Sequence, residues 1–190
     1  YKRQGVKEIR TRRALVTPGE PPTLLLAIKG LDFASQLTDE ELELLAAHSR
    51  YVHRKSGVTL LREGQGADVM EVIVSGFVRS VVTLPEGRER ELGILRPGDY
   101  FGVSSMLTGQ PSIVAYTAES DLTLIHVDKV CIQSLLTSRP ELAEVLADVV
   151  KQRMDAAEQV RAAARTRVPR LSLNDIRRRI RQRFQRSRLT

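Results

Sequence analysis

From Tyr51 to Val127 the chain is a succession of short β-branched runs cut by glycine turns, and no other feature restricts its fold as much. The runs are Val58-Thr59-Leu60-Leu61, Val72-Ile73-Val74, Phe77-Val78, Val81-Val82-Thr83, Ile113-Val114 and Leu122-Thr123-Leu124-Ile125. Between them lie Glu63-Gly64, Ser75-Gly76, Pro85-Glu86-Gly87 and Pro97-Gly98-Asp99. Strands this short and this closely spaced pair with one another and predict an antiparallel sandwich or barrel. There is no βαβ alternation and no glycine-rich dinucleotide fingerprint, which excludes a doubly wound nucleotide fold.

Helical signals flank this region. Thr38 with Glu41 forms a capping box, Leu37 and Leu42 sit at staple positions, and Asp39, Glu40 and Glu41 face the positive end of the helix dipole. Leu42, Leu45 and Ala46 give that helix its buried stripe. Ser138 with Glu141 reads as a second box, with Pro140 in the first turn. Leu142, Val145, Leu146, Val149, Val150 and Met154 then share one face of a helix expected to run to about Arg165, before Pro169. A last segment is capped by Ser172 with Asp175. It places Leu173, Ile176, Ile180 and Phe184 on one face, surrounded by Arg177, Arg178, Arg179, Arg181 and Arg183. A basic amphipathic helix of this kind suits an anionic membrane surface or a partner helix.

Charge divides the chain further. Residues 1–20 carry +4 and residues 161–190 carry +10, which leaves −7 for the body between them. The ends, not the body, would seek phosphates. Residues 1–23, with Arg10, Arg12 and Arg13 and the breakers Pro18, Gly19, Pro21 and Pro22, read as a basic connector. The domains are accordingly 1–23, 24–160 and 161–190. Apolar residues make up 42% of the chain, enough for a globular core, and no apolar run is long enough to span a bilayer. The first residue is Tyr1, as expected of a piece of a longer protein. Cys131 is the sole cysteine, so no internal disulfide forms, and it reads as a small core residue. His48, His53 and His126 are scattered and make no zinc pattern. No nucleophile elbow, Walker loop or triad spacing is present, so the chain does not read as an enzyme and no cofactor is expected.

The segment with chemical content is Leu95-Arg96-Pro97-Gly98-Asp99-Tyr100-Phe101-Gly102, continuing to Pro111. It reads as a strand, a tight turn and a short helical turn. Gly102 permits close backbone approach, and the amides of Val103, Ser104 and Ser105 are expected to converge on an anion, with hydroxyls from Ser104, Ser105 and Ser112.

Over about residues 28–158 the sequence resembles the cyclic-nucleotide-binding domain family. The resemblance rests on Gly57, Gly64, Gly76 and Gly98, the turn at Ser75–Val78, the run Leu95–Gly102, and the spacing from Pro111 to Asp121-Leu122-Thr123-Leu124. It implies an α+β fold: an antiparallel β-roll, jelly-roll-like with about eight strands, an N-terminal helix, and a C-terminal helix acting as a lid. It also implies a cassette for cAMP or cGMP at Phe101, Gly102, Val103, Ser104, Ser105, Ser112, Ile113 and Val114. Two positions depart from the family pattern. Val103 stands where binding members carry the Glu that holds the ribose, and Ser112 where they carry the Arg that pairs with the phosphate. Neither Lys nor Arg occurs from Phe101 to Ala118. Losing both groups weakens binding by roughly 10³-fold, taking roughly 1.5–3 kcal/mol for each charge-assisted hydrogen bond. Arg79, Arg88, Arg90 and Arg153 are the candidate replacements.

The tail is similar to the ends of bacterial MscS-like mechanosensitive channels that carry such a domain. That likeness implies a regulatory domain at the cytoplasmic face of a membrane, in a homo-oligomer. Catabolite-activator-type transcription regulators share the roll but add a helix-turn-helix, for which the residues after Val160 show no two-helix pattern, so DNA is not an expected partner. A β-roll serving only assembly, with no ligand, is the third reading.

Overall fold

The computed structural model describes residues 23–31, 33–84, 87–163 and 172–185. The connector at 1–22, Pro85-Glu86, Arg165, Pro169 and the Phe184 side chain lie outside the described residues.

Eight strands form the roll: β1 (Ser49–Arg54), β2 (Thr59–Leu61), β3 (Val69–Ser75), β4 (Val78–Thr83), β5 (Glu89–Leu95), β6 (Tyr100–Phe101), β7 (Ala115–Ala118) and β8 (Leu122–Asp128). They make two four-stranded sheets, ordered β1-β8-β3-β6 and β2-β7-β4-β5. Every pairing is antiparallel. Among the described residues six α-helices accompany them, α1 (Leu24–Lys29), α2 (Asp39–Ala47), α3 (Val103–Thr108), α4 (Lys129–Ser138), α5 (Leu142–Ala163) and α6 (Leu173–Gln185), with a short 3-10 helix at Ala34–Gln36. This is the α+β roll that the family resemblance implied, and its antiparallel strands are those that the glycine-cut runs predicted.

At the centre of the first sheet β3 and β8 are buried on both faces, which is why they read as apolar runs rather than strict alternation. Ile73, Phe101, Leu122 and Leu124 meet Val78 and Ala118 of the other sheet in the roll's interior. Met70, Val72, Ile125 and Val127 face the opposite way, into a larger core shared with the helices. Cys131 lies in that core. Burial pushes its thiol up to about 11, and Asp128 adds to the shift, so it stays protonated and inert.

Local signals account for most element ends. The Thr38 hydroxyl accepts from the Glu41 amide, and the Glu41 carboxylate accepts from the Thr38 amide. Ser172 and Asp175 cap α6 in the same reciprocal way. The box expected at Ser138 does not form. Ser138 is the last residue of α4, and its hydroxyl donates back to Ser134 and Leu135 carbonyls. Glu141 instead accepts from Arg139. A Ser in the last turn finds a nearer acceptor in the preceding turn than in the helix that follows.

The apolar face of α6 is not available to a bilayer. Ile176 and Ile180 are completely buried in the main core, and α6 packs on α3, α4 and α5. Several arginines of the basic face pair with acidic residues, three of them with the body. Arg177 and Arg181 both pair with Glu144 of α5, Arg178 pairs with Asp175, and Arg183 pairs with Asp68 at 2.9 Å and donates to the Met106 carbonyl. In this structure α6 is docked on its own chain, and Glu144 and Asp68 of the acidic body pair with Arg177, Arg181 and Arg183. Among the described residues, no helix is long and apolar enough to cross a membrane.

A candidate ligand cleft between the roll and the C-terminal helices

A cleft of about 510 Å³ opens between the roll, α3, α5 and α6. Its floor comes from Ser104, Ser105 and Thr108 of α3 and from the extended segment Gln110–Val114. Its walls are Glu63 and Gly64, Tyr116 of β7, Arg153, Met154, Asp155 and Glu158 of α5, and Arg179 of α6. The 110–114 segment is held by a backbone zip: Gly64 N–H donates to Ser112 O at 2.7 Å, and Ser112 N–H donates to Gln65 O at 2.8 Å.

Most hydroxyls expected to serve a ligand are engaged in holding this loop. Ser105 Oγ donates to Gln110 O at 2.6 Å and accepts from Ala67 N at 2.9 Å. Thr108 Oγ1 donates to Ser104 O, and Ser112 Oγ both donates to and accepts from the backbone of Val114. Gly102 adopts φ +83°, and a Cβ there would stand 2.6 Å from Val69 O. The close approach that Gly102 allows therefore serves β3 packing, not a ligand. Val103 is 2% exposed in the main core, and the Phe101 ring stacks on Tyr116 at 4.9 Å. Of the eight residues singled out from sequence, Ser104, Ser105, Ser112, Ile113 and Val114 line the cleft. Phe101, Gly102 and Val103 do not.

Residues 51–139 match the cyclic nucleotide-binding domain family. The matched segment takes in β2 through α4 and amounts to just under half of the chain. A CRP-like cAMP-activated global transcriptional regulator of Mycobacterium tuberculosis is 32% identical over 98 residues, covering 52% of this chain and 44% of that protein. A cyclic nucleotide-gated potassium channel of Mesorhizobium japonicum is 29% identical over 102 residues, covering 54% of this chain and 27% of the channel. Among solved structures, the N-terminal domain of a transcriptional regulator from Streptomyces coelicolor A3(2) is 29% identical with a TM-score of 0.56, covering 68% of this chain and 92% of that one. The chain spans less than half the length of the two curated relatives named here.

Around the cleft the candidate replacement cations are unequal. Arg79 pairs with Glu119, away from the cleft, and neither Arg88 nor Arg90 lines it. Arg153 does line it, but its guanidinium lies 4.0 Å above the Tyr100 ring and donates to Tyr100 O at 2.8 Å. The cation that sequence reading missed is Arg179, because it lies on a helix 67 positions beyond Ser112 and reaches the cleft only through α6 docking. Its Nε is buried with no hydrogen-bond partner. The carboxylates of the cleft have partners: Asp155 pairs with Lys151, Glu63 accepts from the Thr83 amide, and Glu158 is also engaged.

A second polar cluster lies on β3 and β8, outside the cleft. His126 contacts Glu71 at 3.1 Å through Nδ1 and Asp128 at 3.3 Å through Nε2. Glu71 Oε2 is buried without a hydrogen bond. Burial pushes the Glu71 carboxyl above its ordinary range, while His126, Arg54 and Arg50 oppose the shift. His126, set aside from sequence as scattered, gains these neighbours through the β3–β8 register that places it opposite Glu71.

Proposed function

We propose that the chain is a regulatory, ligand-sensing β-roll whose cassette is degenerate, so that it does not hold cAMP or cGMP in the usual family manner. One observation carries this reading: the two charged family positions are replaced, and the structure commits both replacements elsewhere. Val103 is core, and the Ser112 hydroxyl is closed on Val114. A Glu restored at 103 would bury an unpaired charge, which rules it out as a repair. Ser112 does line the cleft, so an Arg there has room to point inward.

Calorimetry with cAMP and cGMP tests the reading. The expected dissociation constant is weaker than about 10 µM, and Ser112→Arg tightens cAMP binding at least about tenfold by supplying a charge-assisted pair. Binding tighter than 10 µM by the unaltered chain, or no gain in the variant, overturns it.

For the protein that carries the domain, the output we propose is gating of a mechanosensitive-type membrane channel in a homo-oligomer, supported by the resemblance of the tail. The M. tuberculosis regulator at 32% identity favours a second output, transcription regulation. Transmembrane spans encoded upstream of Tyr1 support the first, and salt-sensitive DNA binding by the full-length protein supports the second.

A further inference from the structure

We infer that Arg179 of α6 is the anion anchor of the cleft, replacing from outside the roll the cation that the cassette lacks, and that the cleft takes a small organic phosphate. The inference rests on the cleft being the ligand site of the roll.

Charge accounting within the cleft leads to this residue. Two guanidiniums and three carboxylates line it. Asp155, Glu63 and Glu158 are engaged by other groups. Arg153 is fixed against Tyr100 by its hydrogen bond and by the ring beneath it. Arg179 lines the same space with a buried Nε that has no partner, and no hydrogen bond or ion pair of its guanidinium occurs among the described residues. Its charge, with that of Arg178, helps hold the Asp175 carboxyl low from one turn away, a secondary effect behind the bonds from Ser172. A partly desolvated guanidinium with donors free is costly unless an anion meets it, and its planar fork matches phosphate.

The surrounding structure fixes where Arg179 sits. Ile176 and Ile180 lie three residues before and one after it and are completely buried. Arg183, one turn on, donates to Met106 O of α3 and pairs with Asp68. The anchor is therefore held by the core on one side and by α3 on the other, in the same cleft that Ser112 lines. A phosphate seated between them ties α6 to the roll, so occupancy of the cleft is transmitted to the C-terminal helix.

The test is calorimetry on the full chain with 5′-AMP, cAMP and adenosine. AMP or cAMP is expected to bind at least about tenfold more tightly than adenosine. Arg179→Gln removes that advantage and leaves adenosine unchanged, a split that a merely structural role would not produce. Arg179→Lys keeps the charge but not the fork and falls between. With AMP bound, hydrogen exchange in residues 173–185 slows in the unaltered chain and not in Arg179→Gln. Phosphate binding unchanged in Arg179→Gln overturns the anchor and leaves the cleft standing. No phosphate binding by the unaltered chain, with cAMP binding gained in Ser112→Arg, has the same meaning. No binding by either chain overturns both the anchor and the cleft.

Discussion

Gly76 and Gly57 share a left-handed backbone but not the same surroundings. At Gly76, with φ +90°, a Cβ would stand 2.4 Å from Asp121 O, whereas at Gly57, with φ +82°, nothing lies within 4 Å. Gly57→Ala therefore carries only the backbone strain, about 1 kcal/mol, while Gly76→Ala adds a clash with a strand-joining turn and is expected to cost about 3 kcal/mol or more. Urea unfolding of the two variants checks the difference, and equal losses would show that the turn at Asp121 yields. Glu71 gives a pH signature. Its folded pKa lies above the ordinary glutamate value of 4.5, so between the two values the folded state holds a proton that the unfolded chain has released. Stability from this group is present below the unfolded value and is lost as pH rises through the folded one. Glu71→Gln removes that slope, so its stability relative to the unaltered chain rises with pH across this window and is constant above it. A flat difference in urea midpoints from pH 4 to 8 would remove the assignment.

Among the elements, α6 separates apolar docking from ion pairing. Ile180 is fully buried, and Ile180→Ala is expected to lose about 2–4 kcal/mol through lost transfer energy and a cavity. Arg177 and Arg181 both reach Glu144, but these are partly exposed pairs, so Glu144→Ala is expected to lose less than about 1 kcal/mol. Chemical denaturation of the two variants ranks the contributions, and the reverse ranking would mean that charge, not the isoleucine stripe, holds the helix. The capping residues of α2 and α6 were legible because a cap needs only partners three residues apart. The Ser138 box was misread because the same short pattern also occurs at a helix end, where the hydroxyl turns back one turn.

For the whole molecule, the described basic helix α6 meets acidic groups of its own chain. Lys129 and Arg183 both reach Asp68, and α5 presents Glu144 to α6. The basic helix has the composition of a membrane-seeking segment, but composition does not tell which surface is nearest. Isoleucines at 176 and 180 find the core of their own chain first, and that intramolecular contact carries no cost of association.

The succession of strands along the chain, the antiparallel class of the fold and the residues standing at 103 and 112 follow from local chemistry: β-branched runs, turn glycines and the identities of Val103 and Ser112. These signals act between residues a few positions apart, so the linear chain displays them. The arrangement of the cleft does not. Val103 turning to the core, Ser105 bonded to the backbone at Ala67, His126 set against Glu71, and Arg179 brought into the cleft that Ser112 lines all depend on contacts between residues distant in sequence. Such contacts exist only once sheets and helices have packed, because burial and sheet register, not sequence spacing, decide which polar groups face one another.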